Sequence, residues 1–325
     1  MNSIDFKQVL EKPYRNILMG FAITWVILHH FSIFSPSHSS VFSLFAQGSS
    51  GVEIFFFLSV YGLCFSFEKY GVKEFYLRRL KRIFPMYFLF LAIWYFGCHF
   101  FGIEINSPGK IIASTISCLS CLINMRTETD IVEWYIPAQL FIYLIFPLLY
   151  MFIKKVSALR TPYVILYYLF FVGLGIGLSV FASRPLFLRM PVIFIGTLAF
   201  FCSGGQKLDL IIFISAISFF FVPQTYALST SLIMPLMLYA YNCIIKSVTK
   251  INYISKILRI FDYLGKHSLE IYLAQAFTTQ YFLKYADQYN ILIAWSLTVL
   301  LTVFISVILF AFQKYFYTII RFIHK

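Results

Sequence analysis

Long apolar runs separated by short polar loops recur along almost the whole chain. A bilayer core about 30 Å thick is crossed by about 20 apolar residues in a helix, and by this criterion about ten runs are long enough to span it. The predicted spans are residues 14–34, 51–68, 84–103, 134–153, 162–182, 185–203, 208–223, 225–245, 265–283 and 290–313. The pattern therefore predicts an all-α integral membrane protein with about ten transmembrane helices in one bundle.

Composition agrees with this class. Hydrophobic residues make up 60% of the chain and charged residues only 12%, whereas a typical soluble domain has about 25% charged residues. No internal repeat, low-complexity tract or soluble module stands apart from the apolar runs. We therefore interpret residues 1–325 as a single domain.

Basic residues determine the expected orientation. If the N-terminus is cytoplasmic, most of the 26 lysines and arginines fall in inner loops, as the positive-inside rule requires. A further apolar patch, residues 111–123, would move every later loop to the other side if it spanned, so we interpret it as an interfacial or re-entrant part of an outer loop. Both termini are then expected in the cytoplasm.

Two kinds of function are disfavoured by the sequence. The net charge of +13 could suit nucleic acid, but the basic residues are scattered among short loops, where topology explains them. Cys118 and Cys121 form a CxxC pair, yet no second pair or nearby histidine completes a zinc site. We expect neither a nucleic-acid partner nor a metal.

Adjacent histidines near the end of the first span are the first candidates for chemistry. Ionisable groups inside a membrane are costly and often functional, and His29 and His30 lie about 20 to 22 Å along the helix from Arg15. Glu53 has a similar depth in the second span, so its carboxylate could hold the tautomer of His30 and stabilise the imidazolium. Alternatively, one histidine only hydrogen-bonds a neighbouring helix and Glu53 faces lipid headgroups.

A cluster of cations follows on the inner side, in EFYLRRLKRIFPMY, residues 74–87. The guanidinium groups of Arg78, Arg79 and Arg82 could bind phosphate oxygens in a bidentate manner. They could equally hold anionic lipid and fix the topology. The basic residues alone leave both interpretations open.

Five stretches in order resemble the membrane-bound acyltransferase 3 family, which includes bacterial O-acetyltransferases of surface polysaccharides. They are LMGFAITWVILHHF, GVEIFFFLSVYG, FYLRRLKRIFPMY, WYIPAQLFIYLIFP and LGKHSLEIYLAQ, and the resemblance covers about residues 13–313. It implies transfer of an acyl group, usually acetyl from acetyl-CoA, to a hydroxyl of a cell-surface or lipid-linked polysaccharide. It also implies a multi-pass protein of a bacterial cytoplasmic membrane, whose partners are an acyl-CoA, a carbohydrate acceptor and membrane lipid.

The resemblance also implies roles for individual residues. The family's first helix ends in a histidine regarded as catalytic, which aligns best with His30, and Glu53 matches the acidic or polar position of the second block. The expected site residues fall into three groups: catalytic His30 and Glu53; donor-binding Arg15, Arg78, Arg79, Arg82 and Tyr87; and substrate-binding His29, Trp134, Tyr135, Gln139 and Tyr143.

Two positions depart from the family pattern. Met19 stands where the family commonly has arginine or lysine, eleven residues before the histidine, and Gln139 stands where many members have glutamate. Arg15 lies one turn below Met19, and its long side chain could take over the missing charge. The departures could instead reflect an altered donor site, a distinct subfamily or a loss of activity.

Two other functions are compatible with the same pattern. A transporter or flippase would use the same cavity and charges without acyl chemistry, and Gly-rich or Pro-containing helices such as FFVGLGIGLSV could serve it. A non-catalytic member of a polysaccharide assembly complex is the third possibility.

Overall fold

All regular structure in the described residues is helical. The structure is a computed structural model that describes residues 6, 14–33, 44–102, 134–181, 184–221, 226–248, 252–285 and 291–323. Within these ranges the α-helices are α1 (Tyr14–Ile33), α2 (Gly51–Phe100), α3 (Tyr135–Ser157), α4 (Thr161–Phe181), α5 (Arg184–Phe187), α6 (Met190–Cys202), α7 (Gln206–Ser218), α8 (Tyr226–Val248), α9 (Asn252–Lys266), α10 (Ser268–Tyr285) and α11 (Ile291–Ile323). Two 3-10 helices, Gln47–Ser50 and Phe219–Phe221, complete the order.

Five helices in the described part are long and apolar enough to cross a bilayer. They are Leu44–Phe100, Tyr135–Ser157, Thr161–Phe181, Ala227–Ile245 and Ile293–Ile319. These helices agree with the predicted class, an all-α membrane protein. The count of ten spans and the cytoplasmic termini stay predictions. The patch at 111–123 and the pair Cys118 and Cys121 lie outside the described residues.

Helix α2 joins two of the predicted spans through the basic stretch. Its continuity is interrupted at Gly71, whose φ of 69° favours glycine because a Cβ would be strained there. The stretch that carries Arg79 and Arg82 is helical, so these two side chains, three residues apart, share one face. Arg78, one residue earlier, is rotated by about 100° from that face.

Helix α9 lies in a stretch that the charge pattern assigned to an inner loop. It crosses α1 so closely that a methyl group on Gly20 or Gly265 would collide with a backbone carbonyl of the other helix. Asn16 Nδ2 donates to Asp262 Oδ1 at 2.9 Å across the same crossing. Small residues permit such close contact between helices. The crossing fixes the inner end of α1, where Arg15 lies.

Helix α6 forms the centre of the described bundle. Every residue from Met190 to Ala199 is buried, and Gly196 allows the backbone of α2 to approach at Phe57. Arg189 immediately precedes this apolar helix and is itself only 5% exposed. A charged side chain is therefore carried into the core.

Candidate active site

A cavity of about 280 Å³ lies where α1, α2, α3 and α10 meet. Six of the residues expected from the sequence line it together: Arg15, Arg79, Arg82, Tyr135, Gln139 and Tyr143. The remaining lining residues are Met19, Phe55, Ser59, Gly62, Ile83, Ile136, Ser268, Leu269 and Tyr272. The fold thus gathers side chains that are far apart in the sequence.

Three guanidinium groups converge on this cavity. Arg15 lies within the electrostatic reach of both Arg79 and Arg82, and none of the described residues that line the cavity is acidic. Arg15 Nε and Arg79 Nε are buried and have no hydrogen-bond partner among the described residues. Because buried polar atoms without partners are unfavourable, the arrangement suits an anionic ligand with several oxygens.

Neighbouring side chains hold two of these arginines in place. The guanidinium of Arg79 hydrogen-bonds Tyr143 and lies 5.8 Å from the centroid of its ring. Arg15 lies over Gly62, where an added Cβ would approach its Nη2 to 3.2 Å. Arg15 therefore reaches the same cavity that Met19 lines, as a replacement for the missing family cation requires.

An aromatic layer borders the cavity on the side of the histidines. The Tyr135 ring lies 5.3 Å from that of Tyr272 and 6.0 Å from that of Phe55, measured between centroids. Gln139 donates from Nε2 to Ser59 Oγ at 2.8 Å. Its Oε1 is buried without a hydrogen-bond partner in the described part of the chain, so this oxygen can accept a hydrogen bond from a ligand.

His30 lies beyond this layer and is not among the residues that line this cavity. Its Nδ1 is 2.9 Å from the Val26 carbonyl oxygen. A carbonyl can only accept, so Nδ1 carries the proton and the lone pair of the neutral ring is on Nε2. The side chain of Gln275 lies near the ring.

One face of α10 connects the cavity with His30. Ser268 and Tyr272 line the cavity, and Gln275, which contacts His30, follows on the same face because the spacing is i, i+4 and i+7. The rise from Ser268 to Gln275 is about 10 Å. A ligand anchored at the arginines could therefore extend along α10 toward the imidazole.

His29 is oriented differently from His30. Its Nδ1–H donates to the Ala46 carbonyl at 2.8 Å, and Trp25 Nε1 donates to the Gln47 carbonyl at 3.1 Å. These two bonds attach the short 3-10 helix to α1 and so fix the start of α2. The geometry gives His29 a structural role and places no cavity beside it in the described part of the chain.

Glu53 pairs with Arg189 and not with His30. Its Oε1 lies 3.1 Å from Arg189 Nε and accepts a hydrogen bond from Thr230 Oγ1 at 2.9 Å. The expectation that Glu53 holds the tautomer of His30 is therefore corrected, since the Val26 carbonyl does so. The alternative of a headgroup-facing carboxylate is also wrong, because Glu53 is fully buried.

Three other expected residues lie away from the cavity. Arg78 forms an exposed ion pair with Glu74 at 2.9 Å and covers the Tyr70 ring at 3.8 Å, because it occupies a different face of α2 from Arg79. Tyr87 is buried in the core beside Phe90, with ring centroids 5.9 Å apart. Trp134 receives the Arg189 guanidinium over its ring at 4.8 Å.

Sequence reasoning missed Arg189, although this residue lies within the predicted span 185–203. The signal was present, because Arg189 stands among apolar residues in LFLRMPVIF, and intramembrane charge was the criterion that selected His30. Ser59, Gly62 and Tyr272 also line the cavity without having been assigned to the site. Within the described ranges no group of three or more His, Cys, Asp or Glu residues could hold a metal ion.

Comparison with known families decides the class of the protein. The family model described as an acyltransferase domain matches residues 14–311. The chain belongs to the acyltransferase 3 family. The comparisons with curated proteins and with solved structures found no match. In an acyltransferase 3 protein, a cationic cavity that one helix face connects to a histidine is the candidate active site.

Proposed function

We propose that this acyltransferase moves an acetyl group from acetyl-CoA to a hydroxyl of a cell-surface or lipid-linked polysaccharide, in the cytoplasmic membrane of a bacterium. The observation that carries the proposal is the cavity of Arg15, Arg79 and Arg82, which contains no acidic side chain among its described lining residues. Coenzyme A has several phosphate groups, and guanidinium groups bind phosphate oxygens in a bidentate manner. The donor's polar end fits this cavity.

The donor is proposed to enter from the inner side. Its phosphates lie against the three arginines, and its pantetheine arm extends along α10 past Tyr272 toward Gln275. The Oε1 of Gln139 is free to accept a hydrogen bond from an amide of that arm. This arrangement brings the thioester close to His30, about 22 Å along α1 from Arg15.

His30 is the proposed general base. Its Nε2 takes the proton of the acceptor hydroxyl while that oxygen attacks the thioester carbonyl carbon. The carbon–sulfur bond then breaks, and the imidazolium returns the proton to the leaving thiolate. In the alternative route Nε2 attacks the thioester carbon and expels the thiolate of coenzyme A, which leaves an acyl-histidine. The acceptor hydroxyl then attacks the acetyl carbon, the bond to Nε2 breaks, and the hydroxyl proton passes to the thiolate. Both routes need an unprotonated Nε2, which the Val26 hydrogen bond at Nδ1 favours.

Charge removal at the cavity tests the donor site. The variants Arg79→Gln and Arg82→Gln are expected to weaken binding of coenzyme A by about tenfold or more each, since hydrogen bonds to charged groups contribute about 1.5–3 kcal/mol. Binding should be measured by calorimetry on purified protein at low and high salt. The salt dependence of the remaining affinity is expected to fall because fewer charges contribute.

Arg78→Gln is the matched control for this experiment. It removes the same charge one residue away, from an arginine that already pairs with Glu74 on an exposed face. We expect its affinity for coenzyme A to equal that of the wild type within about twofold, because exposed ion pairs contribute little. Equal weakening by all three variants would support a general lipid or surface effect and contradict the proposed donor site.

A further inference from the structure

A second cavity, also of about 280 Å³, lies between α1, α10 and α11 and shares none of its lining residues with the arginine cavity. Its walls include Ile27 and Phe31 of α1, Ile271 and Gln275 of α10, and a row along α11 from Thr298 to Phe310. Twelve helical steps correspond to about 18 Å. The cavity is thus a groove that runs along the helices for more than half of a bilayer core about 30 Å thick.

The groove opens sideways, toward the lipid-facing surface of α11. Val299, Val303 and Val307 line it, and they are 46%, 55% and 58% exposed. They lie on a helix that is apolar and long enough to span. A ligand can therefore enter from the hydrocarbon layer, where only chains of low polarity are abundant.

Two threonine hydroxyl groups on the α11 wall of the groove are hydrogen-bonded within the protein. Thr298 Oγ1 donates to the Ala294 carbonyl and Thr302 Oγ1 to the Thr298 carbonyl, and Thr302 also contacts Thr278 Oγ1 at 2.7 Å. These threonines can then present their methyl groups to the groove. Such a surface suits a hydrocarbon chain, which offers no hydrogen bonds in return.

Gln275 contributes a polar side chain to the lining of the groove. This side chain is 3% exposed, lines the groove and lies near the ring of His30. It lies eight residues, about 12 Å, beyond His267 at the inner end, where the His267 ring packs against Tyr263 and Phe310 at centroid distances of 4.7 and 4.5 Å. A chain that fills the inner part would bring its polar head to the level of the imidazole.

We infer that the groove holds the hydrocarbon chain of an amphiphilic acceptor, whose sugar hydroxyl lies beside Gln275 and His30. The inference rests on the proposed acyl transfer and adds that the acceptor is lipid-linked and enters from the bilayer. The donor and the acceptor then approach the same imidazole from two separate cavities.

The test uses a dodecyl glucoside that carries a photoreactive diazirine on its chain. In the purified protein, crosslinks mapped by mass spectrometry should concentrate on groove residues such as Ile271 and Thr302. The variant Val303→Trp fills the groove from its open side and should lower this labelling by about tenfold, since each buried methylene that is lost costs about 0.8 kcal/mol. Phe304→Trp is the matched control, because Phe304 is 64% exposed on the same helix but is not among the groove residues.

Acetyl transfer to dodecyl and ethyl glucosides separates this inference from the proposed function. Val303→Trp should reduce transfer to the dodecyl acceptor and leave transfer to the ethyl acceptor unchanged. Labelling spread evenly over α11, or equal in the wild type and Val303→Trp, would show ordinary surrounding lipid and overturn the inference while the enzyme still acts. If the wild-type protein is labelled in the groove but transfers acetyl neither to the two glucosides nor to glycan, both the inference and the proposed function are overturned.

Discussion

Replacement of His30 by alanine is expected to lower acetyl transfer by about 10² to 10⁴-fold, the usual contribution of a well-placed general base. The loss follows because Nε2 of His30 is the proposed proton acceptor, and its tautomer is set by the Val26 carbonyl 2.9 Å from Nδ1. Incorporation of labelled acetyl should be measured per amount of folded protein in the membrane. Coenzyme A affinity should stay unchanged, since the arginine cavity is formed by other residues.

His29→Ala is the control for that variant. The two histidines are adjacent, and their ring centroids lie 5.5 Å apart, but His29 is bonded to the Ala46 carbonyl in the segment before α2. We expect most of the activity to remain, with a loss of stability of about 1 kcal/mol for the hydrogen bond that is removed. Full activity in His30→Ala, or equal losses in both variants, would remove His30 from the mechanism.

Breaking the buried ion pair between Glu53 and Arg189 is expected to destabilise the protein strongly. The two side chains are 0% and 6% exposed, and their nearest charged atoms are 3.1 Å apart. Glu53→Gln or Arg189→Met leaves the other charge buried without its partner, which typically costs about 3–5 kcal/mol. We expect each single variant to be recovered poorly as folded protein, measured by size-exclusion chromatography after heating.

A double variant tests whether the losses in the single variants come from the broken ion pair. Glu53→Gln combined with Arg189→Met removes both charges, so no uncompensated ion remains and the loss should be clearly smaller than the sum of the single losses. Thr230, which donates to Glu53 at 2.9 Å, can still donate to the carbonyl oxygen of the new glutamine. Single variants as stable as the wild type, or strictly additive losses, would contradict the pairing.

Helical spacing explains why Arg79 and Arg82 lie together. Arg79 and Arg82 are three residues apart in a helix, so they share a face wherever that helix packs. The same geometry separates Arg78 from them, but only the bundle shows which face meets α1. Helical spacing also allows Arg15 to supply the positive charge that is missing at position 19, and both Arg15 and Met19 line the cavity.

The partner of Glu53 could not be predicted in this way. Helix length gives the depth of a residue, but rotation about the helix axis depends on packing among helices that are distant in the sequence. Glu53 and His30 have similar depths and different neighbours. Arg189 contacts Glu53 from the start of α6, and no local pattern encodes that contact.

Helix α9 illustrates a second limit of prediction from the sequence. Its basic residues made the stretch look like an inner loop, because the positive-inside rule describes orientation and not secondary structure. The close contacts of Gly20 and Gly265 with the opposite backbone depend on two helices about 245 residues apart in the chain crossing at these glycines. Such a match becomes visible only in three dimensions.

Incubation of membranes containing the protein with radiolabelled acetyl-CoA tests the central claim most directly. The account predicts that label appears on hydroxyl groups of glycan or glycolipid, and that the signal falls to background in His30→Ala while coenzyme A still binds. Uptake of label into vesicles without its transfer to any glycan, equal in the wild type and His30→Ala, would contradict the account and indicate a carrier.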